Sequence, residues 1–288
     1  MWNQLKTILL LGALSAGLVA FGGALGEGYL YVFTALAALM NLGAYFFSDR
    51  IVLSMHRARP LEPHEAPGLH GIVEELAARA GIDKPRVYLI EDPHANAFAT
   101  GRNPRHAAVA VTTGILEVLT PRELRGVLAH EIGHVVNRDI LVSSVAATLA
   151  GAITSVANAL QFGALFGWSQ DDREEGGSPA GALLLAFVAP VAATLVQLGI
   201  SRSREYLADE TGARLSGDPE ALARALEKIH LAAEHVPGHV QPATASLFIV
   251  NPLAGTQGLV QLFSTHPPIE ERVRRLRAMA HGSALRVA

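Results

Sequence analysis

The sequence predicts an α+β chain, a four-span α-helical membrane protein whose two long polar segments build one mainly helical cytosolic domain carrying a small β-sheet. Three observations predict it. Half of the 288 residues are hydrophobic and the mean hydropathy is positive, which is too apolar for an ordinary soluble protein. Four uncharged stretches, residues 7–25, 29–47, 140–168 and 180–200, reach the roughly 20 residues that cross a bilayer core. The polar segments between and after them switch between strand-like and helix-like periods. A formal net charge of −3 argues against nucleic-acid binding, and the absence of cysteine leaves neither disulfides nor thiolate metal ligands.

In chain order, residues 1–48 hold two spans, 49–139 the first part of the folded domain, 140–200 two further spans and 201–288 the second part. Lys6 and the small-x-small run Ala20-Phe21-Gly22 give the first span some character of a cleaved signal, but it is longer than a signal core, so a retained span is expected. Gly12, Ala16, Ala20 and Ala24 recur every fourth residue in it, as Ala147, Gly151 and Ser155 do in the third span, a seam suited to close helix packing in lipid. The link at 26–28 and the link at 169–178 are acidic. Arg50, Arg57 and Arg59 follow span two, Arg138 precedes span three, and Arg202 and Arg204 follow span four. The positive-inside rule then puts both termini and both polar segments in the cytosol.

Within the first polar segment, residues 67–80 read as an amphipathic helix ended by Gly81. Residues 86–90 and 107–112 read as strands, 96–99 as a short extended stretch closed by Gly101, and 114–119 as a short helix. Thr120-Pro121-Arg122-Glu123 then has the form of a capping box with proline at the first helical position, and Leu124, Val127, Leu128 and Ile132 continue at helical spacing. After span four, Asp218-Pro219 starts a helix to about Glu234. Residues 236–263 have no readable pattern. Residues 268–279 close the chain as a basic helix whose Arg272, Arg274, Arg275 and Arg277 are expected on a solvated face or against lipid headgroups.

The helix that starts at Pro121 carries His130-Glu131-Ile132-Gly133-His134. Residues i and i+4 share a helical face, so two imidazoles can hold one ion while Glu131 reaches a water on it. A chance match on an ordinary amphipathic helix is the competing reading. The geometry of the spans bears on it. His134 lies six residues before span three, about 9 Å along a continuous helix, and Glu205 five residues after span four, about 8 Å along its extension. A short link makes these spans antiparallel neighbours, which brings Glu205 beside the histidines as a third ligand. Asp209, four residues on, is placed to accept from a ligating imidazole. His56, His64, His70, His94, His230 and His281 have no evident partner and are expected in solvent. His266, before Pro267-Pro268, either faces the site as an electrophile or caps and packs.

In this order of motifs the chain resembles the HtpX-type membrane zinc endopeptidases, relatives of the CAAX prenyl proteases. The resemblance rests on two N-terminal spans, Asn96-Ala97-Phe98-Ala99-Thr100-Gly101, the His130–His134 motif with Asn137-Arg138-Asp139, two more spans, Arg204-Glu205-Tyr206-Leu207-Ala208-Asp209, and Ser264-Thr265-His266-Pro267-Pro268. It implies a zincin-like fold, a bacterial-type plasma-membrane location and cleavage of damaged, unfolded or misassembled membrane proteins at the cytosolic face. One Zn²⁺ per chain is expected on His130, His134 and Glu205, with Glu131 taking a proton from water and passing it to the leaving amine. Asn96, Ala97, Phe98 and Ala99 are the expected exposed sheet edge on which a substrate lies extended. A prenyl-protein protease and a catalytically silent membrane scaffold stay open as alternatives, whereas a zinc transporter would carry its ligands inside the spans. The oligomeric state is not legible.

Overall fold

The computed structural model describes residues 11–12, 15–17, 19–20, 23, 26–151, 202–235, 247–249 and 267–284. Most of the first expected span, the second half of the third, the fourth, the link at 169–178 and His266 lie outside them. Chain order is α1 (Glu27–Met55), β1 (Arg59–Pro60), α2 (Pro67–Ala80), β2 (Arg86–Ile90), β3 (Ala97–Thr100) and β4 (Ala108–Thr112). There follow α3 (Thr113–Val118), α4 (Pro121–Val136), α5 (Ile140–Gly151), α6 (Arg202–Ser216), α7 (Pro219–His235) and α8 (Ile269–Ala284).

The four strands form one mixed sheet in the order β1-β2-β4-β3, with β2 and β4 parallel and the outer pairs antiparallel. Strand period assigns its two faces. Val87, Ala97, Ala99, Val109 and Val111 point into the main core with α2, α4, α7 and α8, while Ile90, Phe98, Ala108 and Ala110 pack on Val52 and Leu53 of α1 and Ala147 of α5. With both faces covered, the small Ala and Val side chains of β4 are entirely buried.

Helix α1 is, among the described residues, the one helix long and apolar enough to cross a membrane. Its 29 residues span about 43 Å, more than the roughly 30 Å of a hydrocarbon core. Its first half exposes Tyr31, Val32, Leu36 and Leu39, whereas its last turns bury Asp49, Val52 and Leu53 against the domain. Arg86 donates to Asp49 at 2.6 Å, which fastens this end to β2. α5 packs beside it, so tightly that a Cβ on Gly151 would lie 2.5 Å from the Met55 methyl.

Four expectations need correction. The helix bearing the histidines does not run on into the third span: it ends at Asn137, Arg138 takes a positive φ of 55°, and α5 starts afresh at Ile140. A left-handed residue is what ends the helix there, and the Asp139 amide closes the turn on the His134 carbonyl at 3.3 Å. Arg272 is not on a solvated face but completely buried, because it shares the apolar stripe of α8 with Ile269, Val273 and Leu276. The edge strand β3 is not exposed: Ala97, Phe98 and Ala99 are all buried, being apolar and covered by α4 on one side and by Leu247 on the other. His70 and His94 have partners after all, the Leu61 carbonyl at 2.9 Å and the Asp92 carboxylate at 2.6 Å.

Candidate metal centre

Local chemistry makes α4. Thr120 accepts from the Glu123 amide, the Glu123 carboxylate accepts from the Thr120 amide at 2.9 Å, and Pro121 fills the first turn. Lys228 of α7 reaches the same carboxylate at 2.7 Å and helps to hold Glu123 well below the usual carboxylate range against the opposing effect of burial.

Helix α6 crosses α4 at backbone contact because both carry glycine at the crossing. A Cβ on Gly212 would lie 2.7 Å from the His130 amide nitrogen, and one on Gly133 3.0 Å from the Ala208 carbonyl. Glu205, Asp209 and Gly212 fall on one face of α6 at i, i+4 and i+7. The close crossing therefore sets both carboxylates over the histidines.

His130, His134 and Glu205 form the one described cluster able to hold a metal ion. The Nε2 atoms of His130 and His134 are 3.1 Å apart, and the Glu205 carboxylate oxygens lie 3.6 Å from the first and 3.7 Å from the second. Ligand atoms arranged tetrahedrally at about 2.0–2.2 Å from a first-row dication stand about 3.3–3.6 Å apart. The three separations lie close around that range. On the far sides of the rings, Asp209 Oδ1 is 2.9 Å from His130 Nδ1, and the Asp139 carboxylate is 3.1 Å from His134 Nδ1. These are the partners that fix a ligating imidazole and leave Nε2 free to bind. The left-handed turn at Arg138 is what sets Asp139 beside His134.

Charge balance asks for a divalent cation too. Glu131, Asp139, Glu205 and Asp209 are buried around the site, and among the described residues Arg204 and Arg272 are the buried cations against them. Four carboxylates facing two guanidinium groups leave two negative charges, a costly imbalance inside a protein that one divalent ion cancels. The imidazoles answer the same field. Burial alone would lower their pKa values, yet Asp209 and Glu205 raise that of His130, and Asp139 pushes His134 up to about 10.

Glu131 is buried, and burial pushes its carboxyl up from the ordinary range. Its Oε2 accepts the Ala99 amide of β3 at 2.8 Å. Phe98, Ala99, the two histidines, Glu131 and Glu205 line one cleft, together with Ile140 and Ser143 of α5, Arg204, and Leu247, Phe248 and Ile249. Asn96 does not face it as a backbone contact; its side-chain carbonyl accepts the Ile249 amide at 3.1 Å. Ala97 is buried in the core. His266 is outside the described residues. Sequence reasoning missed Asp139, Arg204, Arg272 and the Leu247–Ile249 segment as parts of the site. For Arg272 the signal was present, as an arginine falling in step with Ile269, Val273 and Leu276.

A family model described as Peptidase family M48 matches residues 63–280. A protein named Protease HtpX homolog from Syntrophobacter fumaroxidans is 56% identical over 283 residues, covering 97% of this chain and all of the relative. Its namesake from Pelotomaculum thermopropionicum is 55% identical over 280 residues, covering 96% of this chain and 99% of the relative. The crystal structure of S. mikatae Ste24p has a similar fold, with a TM-score of 0.51 at 22% identity over 95% of this chain. This chain spans 64% of that one. Since the match covers both halves of the domain that unites the histidines with Glu205, and full-length relatives share over half their residues with it, the chain belongs to peptidase family M48 as an HtpX-type metalloprotease.

Proposed function

We propose that this metalloprotease is a membrane-integrated zinc endopeptidase that hydrolyses peptide bonds of damaged, unfolded or misassembled membrane proteins at the cytosolic face. One observation carries the reading. The cleft that holds Glu131 and the three candidate ligands opens at the root of two apolar helices, α1 and α5, with Ile140 and Ser143 of α5 in its wall. His56, which caps α1, packs on Phe98 of the same wall, ring centroids 5.2 Å apart. A chain leaving the bilayer would meet the site at once.

Two imidazoles and one carboxylate are the donor set of catalytic zinc, with a fourth position left open. When bound, the metal supplies a positive centre that acidifies water and polarises the scissile carbonyl. His130, His134 and Glu205 hold it, and Asp209 and Asp139 keep the rings turned toward it. Glu131 accepts a proton and returns it to the leaving amine; a carboxyl raised by burial is better matched to that exchange near neutral pH than a solvated one. The Ala99 amide orients Glu131 through Oε2. Substrate lies extended in the cleft, next to Phe98 and Ala99. Spans at 7–25, 29–47, 140–168 and 180–200 complete the membrane part, with both termini cytosolic on the strength of the arginines that follow the second span, precede the third and follow the fourth.

Full-length protein tests this, in detergent for zinc and cleavage and in intact cells for labelling. About one zinc per chain, chelator-sensitive cleavage of casein and labelling of 169–178 only from outside the cell are expected. Metal-free protein that still cuts casein, or labelling of 169–178 from the cytosol, contradicts the zinc reading or the orientation respectively.

A further inference from the structure

Arg272 is the largest fully buried side chain in the described protein, and its guanidinium sits between two structures that the reaction needs. Toward the metal centre, Nε donates to Asp209 Oδ2 at 2.8 Å and Nη2 to Oδ1 at 2.7 Å, a two-point fork. The same group stands 3.4 Å from His130 Nε2 and 3.5 Å from Glu205 Oε2. On its other arm, Nη1 donates to the Ile249 carbonyl at 2.8 Å. The Ile249 amide in turn donates to Asn96, one residue before β3. Leu247, Phe248 and Ile249 form a wall of the cleft opposite the ligands.

We infer that Arg272 is a positioning residue, which holds Asp209 against His130 with one edge of its guanidinium and the Leu247–Ile249 wall of the cleft with the other. The planar fork is what allows this. A lysine offers one compact charge and cannot satisfy two carboxylate oxygens and a carbonyl in different directions. A buried arginine that merely stabilised the fold would be replaceable by a shape-filling group with no change at the metal or in substrate binding.

The inference rests on the zinc-peptidase reading, and the experiment separates the two. In full-length protein in detergent, Arg272→Lys, Asp209→Asn and Asn96→Ala are compared for zinc affinity in chelator competition, for the visible spectrum of the cobalt-substituted protein, and for KM and kcat on casein. Arg272→Lys is expected to weaken zinc binding about 10–100-fold, to shift the cobalt bands and to raise KM about 10-fold. Asp209→Asn is expected to reproduce only the metal changes and Asn96→Ala only the rise in KM. Folded Arg272→Lys with wild-type zinc affinity, cobalt spectrum and KM overturns the role. So does a KM that falls, since the segment would then obstruct the cleft rather than form it. Should Arg272→Lys not fold, wild-type zinc affinity in Asp209→Asn or wild-type KM in Asn96→Ala overturns it. Wild-type protein that binds no zinc overturns the zinc-peptidase reading instead.

Discussion

Gly212 and His130 meet backbone to backbone, with room for no Cβ between them: one added at Gly212 would lie 2.7 Å from the His130 amide nitrogen and 2.8 Å from its Cα. The metal triad depends on this contact because Glu205 sits two helical turns before Gly212 on the same face.

Gly212→Ala is therefore expected to separate α6 from α4. Overpacking of this kind costs about 1–3 kcal/mol, and a shift of about 1 Å at a catalytic group costs on the order of 100-fold in rate. Thermal unfolding and zinc competition on the same sample check it. Wild-type affinity and midpoint would mean that the crossing tolerates a methyl group.

Asp139 and Asp209 each support a different imidazole, at 3.1 Å from His134 and 2.9 Å from His130. Asp139→Asn is expected to lose about 10–100-fold in zinc affinity or activity, as for the carboxylate partner of any ligating histidine. Unchanged zinc affinity in Asp139→Asn would reduce Asp139 to a helix-terminal residue.

The pH dependence has a definite sign. His134 is raised from 6.5 to about 10, burial being outweighed by Asp139 and the other carboxylates, so its stabilising contribution is complete below pH 6.5 and lost as pH climbs through 10. Metal-free protein should lose thermal stability across that window. Zinc binds the deprotonated rings, so zinc affinity should rise over the same range. Calorimetry with and without chelator reads both; parallel profiles would contradict the assignment of His134 as a ligand.

The two sides of β3 make opposite predictions. Asn96 accepts from Thr112 at 3.0 Å, which by alternation turns the Phe98 amide toward β4 and the Ala97 and Ala99 amides away from it. Ala99→Pro removes the donor to Glu131 and is expected to lower kcat with zinc retained, while Phe98→Pro breaks the ladder and lowers stability. An Ala99→Pro variant, folded and zinc-loaded, that turns over casein at the wild-type rate would remove the Ala99 amide from the mechanism.

The helices and strands that frame the site were legible because their signals are local. Thr120 to Glu123 capped α4 as their order implies, Gly81 ended α2 in a left-handed turn, and 86–90 and 107–112 read as strands, which the structure then sets side by side. The triad was legible from spacing, though for a partly wrong reason: a continuous helix from His134 into the apolar run was assumed, and the helix ends in a left-handed turn at Arg138 instead. That turn sets Asp139 beside His134, a contact no periodicity encodes. Arg272 was hidden because a run of four arginines in six residues reads as a surface, and that reading outweighed the one signal against it, the spacing of Arg272 with Ile269, Val273 and Leu276. Leu247–Ile249 lay in a stretch without pattern, since its place is set by Asn96 and Arg272, each far away in sequence.

The most direct test of the account is the zinc content and casein turnover of Glu131→Gln measured on the same full-length preparation. About one zinc per chain with turnover reduced at least about 100-fold is expected, because Glu131 moves a proton and holds no metal. Turnover close to wild type, or loss of the zinc along with the activity, would contradict it.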